Sequence, residues 1–319
     1  MDALDRRLLN DFPRDFPLVP RPYADVGRVL GIDEAEVIDR LRLLTQAGRI
    51  SRLGATVRPN TAAASTLAAL AVPPARVEAV AALVGAEPGV NHSYLRDSPD
   101  WNLWFVATAP DEDALAASLA RIEAATSLPV LDLRLKRAFN IDLGFCLEGQ
   151  RRAMPERPPA DMSALRDGDR PILQALSRGL ALDPNPYALA ERPEAEVIAR
   201  IRALSAAQII TRLGVIVKHR SLGWTANAMV VFDLPEEAIA EVGLQLAAVP
   251  GVTLCYQRVT RPGWRWGLFC MIHAQSRDDA LAVLARARTL PGLTEADHRI
   301  LFSTRCFTQR GALIQGVAA

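Results

Sequence analysis

The sequence has almost no net charge, few cysteines and no long hydrophobic run. Among its 319 residues, 37 lysines and arginines nearly balance 36 aspartates and glutamates, so the formal net charge is +1. This balance removes any global electrostatic case for binding nucleic acid, although a local basic patch remains compatible with it. We therefore do not expect nucleic acid to be its partner.

The scarcity of cysteine excludes several kinds of site. The chain has only Cys146, Cys255, Cys270 and Cys306, and no two of them form a CxxC pair. This spacing is typical neither of a zinc site nor of a secreted disulfide framework, so we expect no metal site and a cytoplasmic location. The N-terminus does not resemble a signal peptide, and the most apolar stretch, 62–72, is too short to span a bilayer. We expect no membrane contact.

An internal repeat is the dominant feature of the sequence. EVIDRLR at 36–42 recurs as EVIARIR at 196–202, and ISRLG at 50–54 recurs as ITRLG at 210–214. PGV at 88–90 recurs at 250–252, and a Tyr-x-Arg pattern follows each, at Tyr94 and Tyr256. A repeat in the same order, with spacing that drifts by only a few residues, indicates that the chain contains two copies of one unit.

Each copy shows the same pattern of elements. Apolar residues at helical spacing predict three helices in copy one, with Asp33 as an N-cap and Glu36 completing a loose capping box. A β wing at 49–58 follows, and then the order β-α-β-β-α-β. The sequence predicts an α+β fold, a tandem duplication of a winged helix-turn-helix and a ferredoxin-like unit. We place winged helices at 1–60 and 169–220, ferredoxin-like units at 61–150 and 221–319, and an exposed proline-rich linker at 151–168.

The combination of a winged helix with a ferredoxin-like unit resembles the Lrp/AsnC regulators. Finer motifs resemble another family: HSYLR at 92–96 and WNLWF at 101–105 are similar to the H-x-Y-x-R … Y-N-x-W-F stretch of siroheme decarboxylases. CYQR at 255–258 and WGLFCMIH at 266–273 resemble the other subunit type of that enzyme, and KRAF at 136–139 and STRCF at 303–307 fit too. This resemblance covers nearly the whole chain. It implies a fused two-subunit siroheme decarboxylase of the haem d1 pathway, folded as an intramolecular pseudo-dimer.

The resemblance also implies a reaction. The C12 and C18 acetate carboxyl groups of siroheme leave as CO2, which gives 12,18-didecarboxysiroheme. No separate cofactor is expected, because the substrate siroheme carries its own iron. Two kinds of partner besides siroheme are compatible with the resemblance: further copies of the chain in a homo-oligomer, and other enzymes of the haem d1 pathway.

The chemistry of this substrate directs attention to particular residues. Siroheme carries eight carboxylates around an apolar ring, which calls for arginines and aromatic walls, and decarboxylation needs a proton donor such as histidine. His92, Tyr94 and Arg96 alternate along one predicted strand and therefore share a face. The candidate catalytic residues are His92, Tyr94 and His273, and the candidate substrate-binding residues are Arg96, Trp101, Lys136, Arg137, Tyr256, Arg258 and Arg305.

The two copies differ at the histidine positions. Copy two has Leu254 where copy one has His92, and copy one has Thr108 where copy two has His273. One model makes only the pocket with His92 active, with His273 affecting binding or ligating the siroheme iron. In the other model both histidines reach one shared pocket, each serving a different acetate.

A rival interpretation is an Lrp/AsnC-type DNA-binding transcriptional regulator that senses a small ligand. A third is a haem chaperone that binds without turnover. The predicted recognition helix of copy one, 33–46, is net acidic. In the recognition helix of copy two, Glu194 and Glu196 balance Arg200 and Arg202. Neither charge pattern favours binding to a polyanion such as DNA. Basic residues of the wing at 49–58 leave weak DNA binding open. We expect the winged helices to be relics that pack against the sandwich and help to close the pocket.

Overall fold

A computed structural model of the chain describes residues 1–140 and 158–316. Copy one contains α1 Ala3–Asp11, α2 Pro22–Leu30, α3 Glu34–Gln46, β1 Ile50–Val57, β2 Ala64–Leu70, α4 Val77–Ala86, β3 Val90–Arg96, β4 Leu103–Ala109, α5 Glu112–Thr126 and β5 Leu131–Asn140. Copy two contains α6 Arg170–Arg178, α7 Glu194–Ala206, β6 Ile210–Val217, β7 Ala226–Phe232, α8 Glu236–Ala248, β8 Val252–Arg258, β9 Leu268–Ala274, α9 Arg277–Ala287 and β10 His298–Gln309. The predicted duplicated α+β architecture is confirmed. In the described ranges, no helix combines the length and the apolar character needed to cross a membrane.

Local signals in the sequence fix several helix ends. The side chain of Asp33 accepts a hydrogen bond from the backbone N–H of Glu36 at 2.7 Å, so Asp33 is the N-cap of α3. The returning bond from Glu36, which would complete a capping box, is not among the described contacts. Asp111 caps α5 in the same way, with its side chain 2.7 Å from the backbone nitrogen of Ala114.

The two ferredoxin-like sheets join into one closed eight-stranded barrel. Its strand order is β10-β3-β4-β2-β5-β8-β9-β7. The last strand of each copy crosses between the sheets: β5 pairs first with β2 and then with β8, and β10 pairs first with β7 and then with β3. The pseudo-dimer is therefore held by continuous backbone hydrogen bonding, and the barrel leaves no open sheet edge.

The winged helices also merge across the copies. The wing strand β1 pairs antiparallel with the wing strand β6, with Gly54 opposite Gly214. One apolar core contains buried side chains from both winged helices, including Leu8, Leu41 and Ile201. The two winged helices therefore form a single folded layer against one end of the barrel.

Copy two departs from the predicted helix-helix-helix order. Between α6 and α7, residues 181–193 form turns instead of a second α-helix, and Pro184, Pro186 and Pro193 in this segment disfavour helix. Tyr187 keeps the role of Tyr23: each hydroxyl donates to a backbone carbonyl of the other copy, at Pro17 and Ala181.

The predicted linker is not exposed throughout. Its residues 151–157 lie outside the described residues. Residues 158–168 pack on the winged-helix layer, because the N–H of Asp161 donates to the carbonyl of Ala207 at 2.9 Å and Leu165 contacts the apolar core. At the end of this segment, the buried Asp169 forms an ion pair with Arg200 at 2.6 Å.

Candidate functional site

A cavity of about 390 Å³ lies between the barrel and the winged-helix layer. Strands of both copies line it, as do the wing strands β1 and β6 and the chain segment after β10. Inside the barrel, Trp264 packs edge to face on both Trp104 and Trp266, with ring centroids 4.9 Å apart in each pair. Of these tryptophans only Trp104 lines the cavity, so Trp264 and Trp266 belong to the core that closes the barrel. The volume falls within the usual range of small-molecule sites.

The cavity is lined by cations and by no described carboxylate. The lining contains the arginines Arg52, Arg58, Arg96, Arg212, Arg258 and Arg310. Among the residues that the structure describes, no aspartate or glutamate lines it. An enclosed space with this composition attracts an anionic ligand, and guanidinium groups bind carboxylates bidentately.

The alternation predicted for β3 is observed, and β8 repeats it. His92, Tyr94 and Arg96 all face the cavity, and Tyr256 and Arg258 face it from the other copy. Arg96 donates to the carbonyl of Leu301 at 3.1 Å, and Arg258 donates to that of Leu133 at 2.6 Å. The Nε atom of each of these arginines is buried and has no hydrogen-bond partner.

Burial changes the pKa values of these charged and phenolic groups. It lowers the pKa of Arg96 to about 10 and also lowers that of Arg258. It raises the pKa of Tyr94 and of Tyr256, although nearby arginines act in the opposite direction. Both tyrosines therefore present neutral hydroxyls to the cavity, in front of arginines held in a poorly solvated place.

Three of the four histidines of the chain line the cavity: His92, His219 and His273. The rings of His219 and His273 lie edge to face, with centroids 4.6 Å apart. His219 Nε2 is 2.9 Å from Asn227 Nδ2, and His92 Nδ1 is 3.0 Å from Asn91 Oδ1. Histidines from both copies therefore meet in one space, the arrangement that the shared-pocket model requires.

A hydroxyl group lies beside His273 Nδ1. Thr253 Oγ1 is 2.9 Å from the carbonyl oxygen of Met271 and 2.6 Å from His273 Nδ1. The hydroxyl has one proton and can donate it to only one of these two groups. Thr253 therefore couples the orientation of the His273 ring to the backbone of β9.

The protein disfavours charge on the other two histidines. Burial, with contributions from Arg52 and His219, lowers the pKa of His92 to about 4. Burial, with a contribution from Arg220, lowers the pKa of His219 to about 4. At neutral pH both rings are neutral in the unliganded protein.

Four of the predicted site residues lie outside the cavity. Lys136 pairs with Glu236, Arg305 pairs with Glu78, Arg137 stacks on Phe139 with 5.0 Å to the ring centroid, and Trp101 is half-buried against the barrel core. Register shifts occur in β5 between Leu135 and Arg137 and in β10 between Ser303 and Arg305. Such shifts break the alternation of faces on which a prediction from spacing depends.

Several lining residues were not predicted from the sequence. Arg52 and Arg212 come from the wing strands, and His219 lies two residues after the end of β6. The internal repeat could have indicated the two arginines, because both occupy the third position of the repeated ISRLG and ITRLG segments. The only feature of the sequence that could have indicated His219 is that the chain contains just four histidines.

Comparison with known proteins agrees with this geometry. Residues 62–140 and 221–308 match the family model of the AsnC-like ligand binding domain. Residues 5–50 match the model of the siroheme decarboxylase NirDL-like HTH domain. The siroheme decarboxylase NirDL subunit of Paracoccus denitrificans is 66% identical over 324 residues, which cover 100% of this chain and 99% of the relative.

Two further matches reflect the duplication and the fold. The siroheme decarboxylase NirD subunit of Stutzerimonas stutzeri is 49% identical over 147 residues, which cover 46% of this chain and 96% of that subunit. The crystal structure of the siroheme decarboxylase NirDL in complex with an iron-uroporphyrin III analogue superposes with a TM-score of 0.66. It is 25% identical, and the match covers 98% of this chain and 95% of that chain.

Fold and cavity together define a duplicated AsnC-like protein with an arginine-lined cavity between its two copies. The 66% identity to the NirDL subunit over the whole chain allows a more specific family assignment. The chain belongs to the siroheme decarboxylase family.

Proposed function

We propose that this protein is a siroheme decarboxylase that removes the C12 and C18 acetate carboxyl groups of siroheme to give 12,18-didecarboxysiroheme. The observation that carries the proposal is the cavity shared by the two copies, which combines six arginines and three histidines with no described carboxylate in its lining. The NirDL protein crystallised with an iron-uroporphyrin III analogue has the same overall fold, which supports a tetrapyrrole as the ligand.

The arginines account for binding. Arg96 and Arg258 lie four residues after His92 and Leu254 on matching strands of the barrel, positions from which each reaches a peripheral carboxylate of the substrate. Their buried Nε atoms lack hydrogen-bond partners, which a ligand carboxylate supplies. Trp104, Met229 and Met271 line the cavity between them and offer the apolar surface that a macrocycle needs.

The histidines account for the proton that the reaction consumes. In each decarboxylation the bond between the acetate methylene and its carboxyl carbon breaks, CO2 leaves, and the electron pair passes into the macrocycle. The methylene carbon then takes one proton and becomes a methyl group. We infer that His92, which is neutral in the unliganded protein, and His273 relay that proton, with Tyr94 and Tyr256 as neutral hydroxyls beside the reacting acetates.

No further cofactor is part of the proposal, since proton transfer and an electron-accepting ring suffice and the iron arrives with the substrate. We also propose a cytoplasmic location, on the basis of the cysteine pattern, and leave a homo-oligomer or haem d1 pathway enzymes as partners. The relatives named as NirD subunits support assembly of two units, a role that the two copies fill here within one chain.

The regulator interpretation has less support. Arg40 of α3 is engaged by Asp2, Asp5 and Glu36, and Arg42 by Asp39, so these cations are neutralised within the protein. The wing strands pair with each other instead of extending from the surface. A gel shift at low salt should therefore show no sequence-selective retardation of DNA.

The decisive test is anaerobic incubation with siroheme followed by mass spectrometry. We expect wild-type protein to yield a product that has lost two CO2. In the shared-pocket model, His92→Ala and His273→Ala each accumulate the product that has lost one CO2, whereas His298→Ala, which alters the histidine stacked on Phe232 outside the cavity, behaves as wild type. Bound siroheme of unchanged mass would indicate a chaperone. Complete loss of both steps in His92→Ala alone would favour the model with a single active half.

A further inference from the structure

The third cavity-lining histidine, His219, comes from the winged-helix layer and not from the barrel. It opens a short helical turn, His219–Leu222, which begins two residues after the end of β6. Its ring packs edge to face on that of His273 in β9, with centroids 4.6 Å apart and an angle of 82° between the ring planes. It is also close enough to His92 for its charge to contribute to lowering the pKa of that residue. His219 is therefore a neighbour of both candidate proton carriers.

His219 and His273 differ in their access to solvent. His273 is buried, with 6% of its surface exposed, whereas His219 and the rest of its helical turn are half-buried. In the proposed reaction each decarboxylation consumes one proton, which the protein must replace from solvent. A buried histidine that gives up a proton needs a neighbour that can supply the next one. His219 is a neighbour of that kind, because it contacts His273 and is itself partly exposed.

Asn227 gives His219 a partner that suits both the loss and the gain of a proton. It lies on β7 directly opposite His273, and its Nδ2 is 2.9 Å from His219 Nε2. An amide nitrogen only donates, so this contact serves an unprotonated Nε2. The amide oxygen of Asn227 is buried and has no hydrogen-bond partner within the described ranges. A half rotation of the amide would present that oxygen, an acceptor, to a protonated Nε2. Asn227 can therefore hold the His219 ring in both states.

This histidine–asparagine–histidine group has no counterpart in copy one. Alignment of the strands places three other residues at the positions of His219, Asn227 and His273, namely Pro59, Ser65 and Thr108. In each copy the second and third of these positions face each other in the same strand register. Copy one thus builds the same elements without an imidazole or an amide at these places, so the shared fold does not require the group in copy two.

We propose that His219 is a proton-relay residue that passes protons from solvent to His273, with Asn227 as the residue that positions it. The relay rests on the proposed function, since it supplies the proton that the reaction consumes. One proton moves from solvent to His219, from His219 to His273, and from His273 to the acetate methylene carbon, where the electron pair released with CO2 forms the new C–H bond. The relay also gives the winged-helix layer, which we expected to be a relic, a part in the reaction.

The bound substrate favours this transfer. Burial, with a contribution from Arg220, keeps His219 neutral in the unliganded protein. The carboxylates of siroheme bring negative charge into the cavity, and a nearby negative charge stabilises a protonated imidazole. The relay is therefore easier to protonate when a substrate is present to use the proton.

The test compares His219→Ala, His219→Phe and Asn227→Leu with wild type. His219→Phe keeps a ring packed on His273 but cannot carry a proton, whereas His219→Ala leaves space for a molecule of imidazole. Thr225→Val is the matched control, because Thr225 is exposed, lies two residues before Asn227 and does not line the cavity. Steady-state CO2 release from siroheme gives kcat, with and without added imidazole and in H2O and D2O. Absorption titration gives the Kd for siroheme, and thermal melting reports stability.

We expect both His219 variants to lower kcat about a hundredfold, the lower end of the usual contribution of a proton-transfer residue, with little change in the Kd for siroheme. Imidazole should restore the rate of His219→Ala in a saturable manner but not that of His219→Phe, whose ring fills the space. The solvent isotope effect on kcat should rise in both, because proton supply becomes rate-limiting. Asn227→Leu should lower kcat about tenfold, and Thr225→Val should behave as wild type.

Two results would overturn the relay. A wild-type kcat in His219→Phe would remove His219 from proton transfer and leave the proposed function intact. A lower kcat in His219→Ala that imidazole does not restore, with the solvent isotope effect of wild type, would assign His219 a structural role. If the wild-type protein releases no CO2 from siroheme, the proposed function itself fails.

Discussion

The hydroxyl group of Thr253 lies 2.9 Å from the carbonyl oxygen of Met271 and 2.6 Å from His273 Nδ1. A hydrogen bond at one ring nitrogen orients the imidazole and distinguishes its two nitrogens. In copy one, the amide oxygen of Asn91 lies 3.0 Å from His92 Nδ1. At the residue scale, the two candidate proton carriers are thus each held at Nδ1 by a different polar neighbour.

Replacing Thr253 by valine tests the orientation of His273. The variant keeps the shape of the side chain but removes the hydrogen bond between Thr253 and His273 Nδ1, which costs about 1–3 kcal/mol. We expect kcat to fall about tenfold while the Kd for siroheme changes little, and Thr253→Ser to restore the rate. Single-turnover kinetics with product mass analysis would measure this. Equal rates for the valine variant and wild type would mean that the hydroxyl does not position His273.

The depressed pKa of His92 predicts how stability depends on pH. An unfolded histidine binds a proton below about pH 6.5, whereas folded His92 does so only near pH 4. Between these values the unfolded state binds more protons, so the free energy of unfolding decreases as the pH falls from 6.5 towards 4. His92→Gln should reduce that slope by up to about 1.4 kcal/mol per pH unit. Urea unfolding at a series of pH values would measure the slope, and identical slopes for variant and wild type would contradict the prediction.

At the scale of elements, the wing strands are packed too closely for any side chain at their central glycines. A Cβ atom at Gly54 would lie 2.3 Å from the carbonyl oxygen of Leu176 in α6, and one at Gly214 would lie 2.5 Å from the carbonyl of Pro13. Each wing strand thus receives a backbone segment of the other copy at its glycine. This close packing between the copies explains why both repeated segments, ISRLG and ITRLG, end in glycine: a side chain there would collide with the backbone of the other copy.

Gly54→Ala tests this packing. The added methyl group forces α6 away from β1, and overpacking of this kind costs about 1–3 kcal/mol. We expect a lower melting temperature and weaker siroheme binding, because Arg52 lies two residues away on the same strand. Ser51→Ala, a change on the same strand that adds no atom, is the comparison. A melting temperature for Gly54→Ala equal to that of wild type would show that the helix can shift without cost.

The extent to which the site was predictable differs from strand to strand. The Tyr-x-Arg repeats on β3 and β8 revealed cavity-facing residues, because strict alternation fixes which side chains share a face. On β5 and β10, Arg137 and Arg305 were named from the resemblance, and both lie outside the cavity, next to register shifts that interrupt the alternation of faces. The pairing of β1 with β6 was not predicted, because periodicity within a strand carries no information about a partner about 160 residues away along the chain.

At the scale of the whole molecule, neither copy is complete by itself. The barrel closes only through the pairs β5 with β8 and β10 with β3, and the winged-helix core draws side chains from both copies. The cavity is also shared between the copies: copy one contributes His92, and copy two contributes His219 and His273. The repeat made the duplication predictable, but the asymmetry of the site follows from single substitutions such as Leu254 at the position of His92.

This division predicts the behaviour of the separated halves. Residues 1–150 and 151–319, produced as two chains with an affinity tag on the first, should copurify in a 1:1 ratio and release CO2 from siroheme. Either half alone exposes two unpaired barrel edges and half of a shared core, so it should aggregate or pair with a second copy of itself. Such a homodimer lacks either His92 or both His219 and His273, and we expect it to be inactive. Native mass spectrometry and CO2 release measure the two properties. An isolated half that is monomeric and decarboxylates siroheme at the wild-type rate would contradict both the shared barrel and the shared cavity.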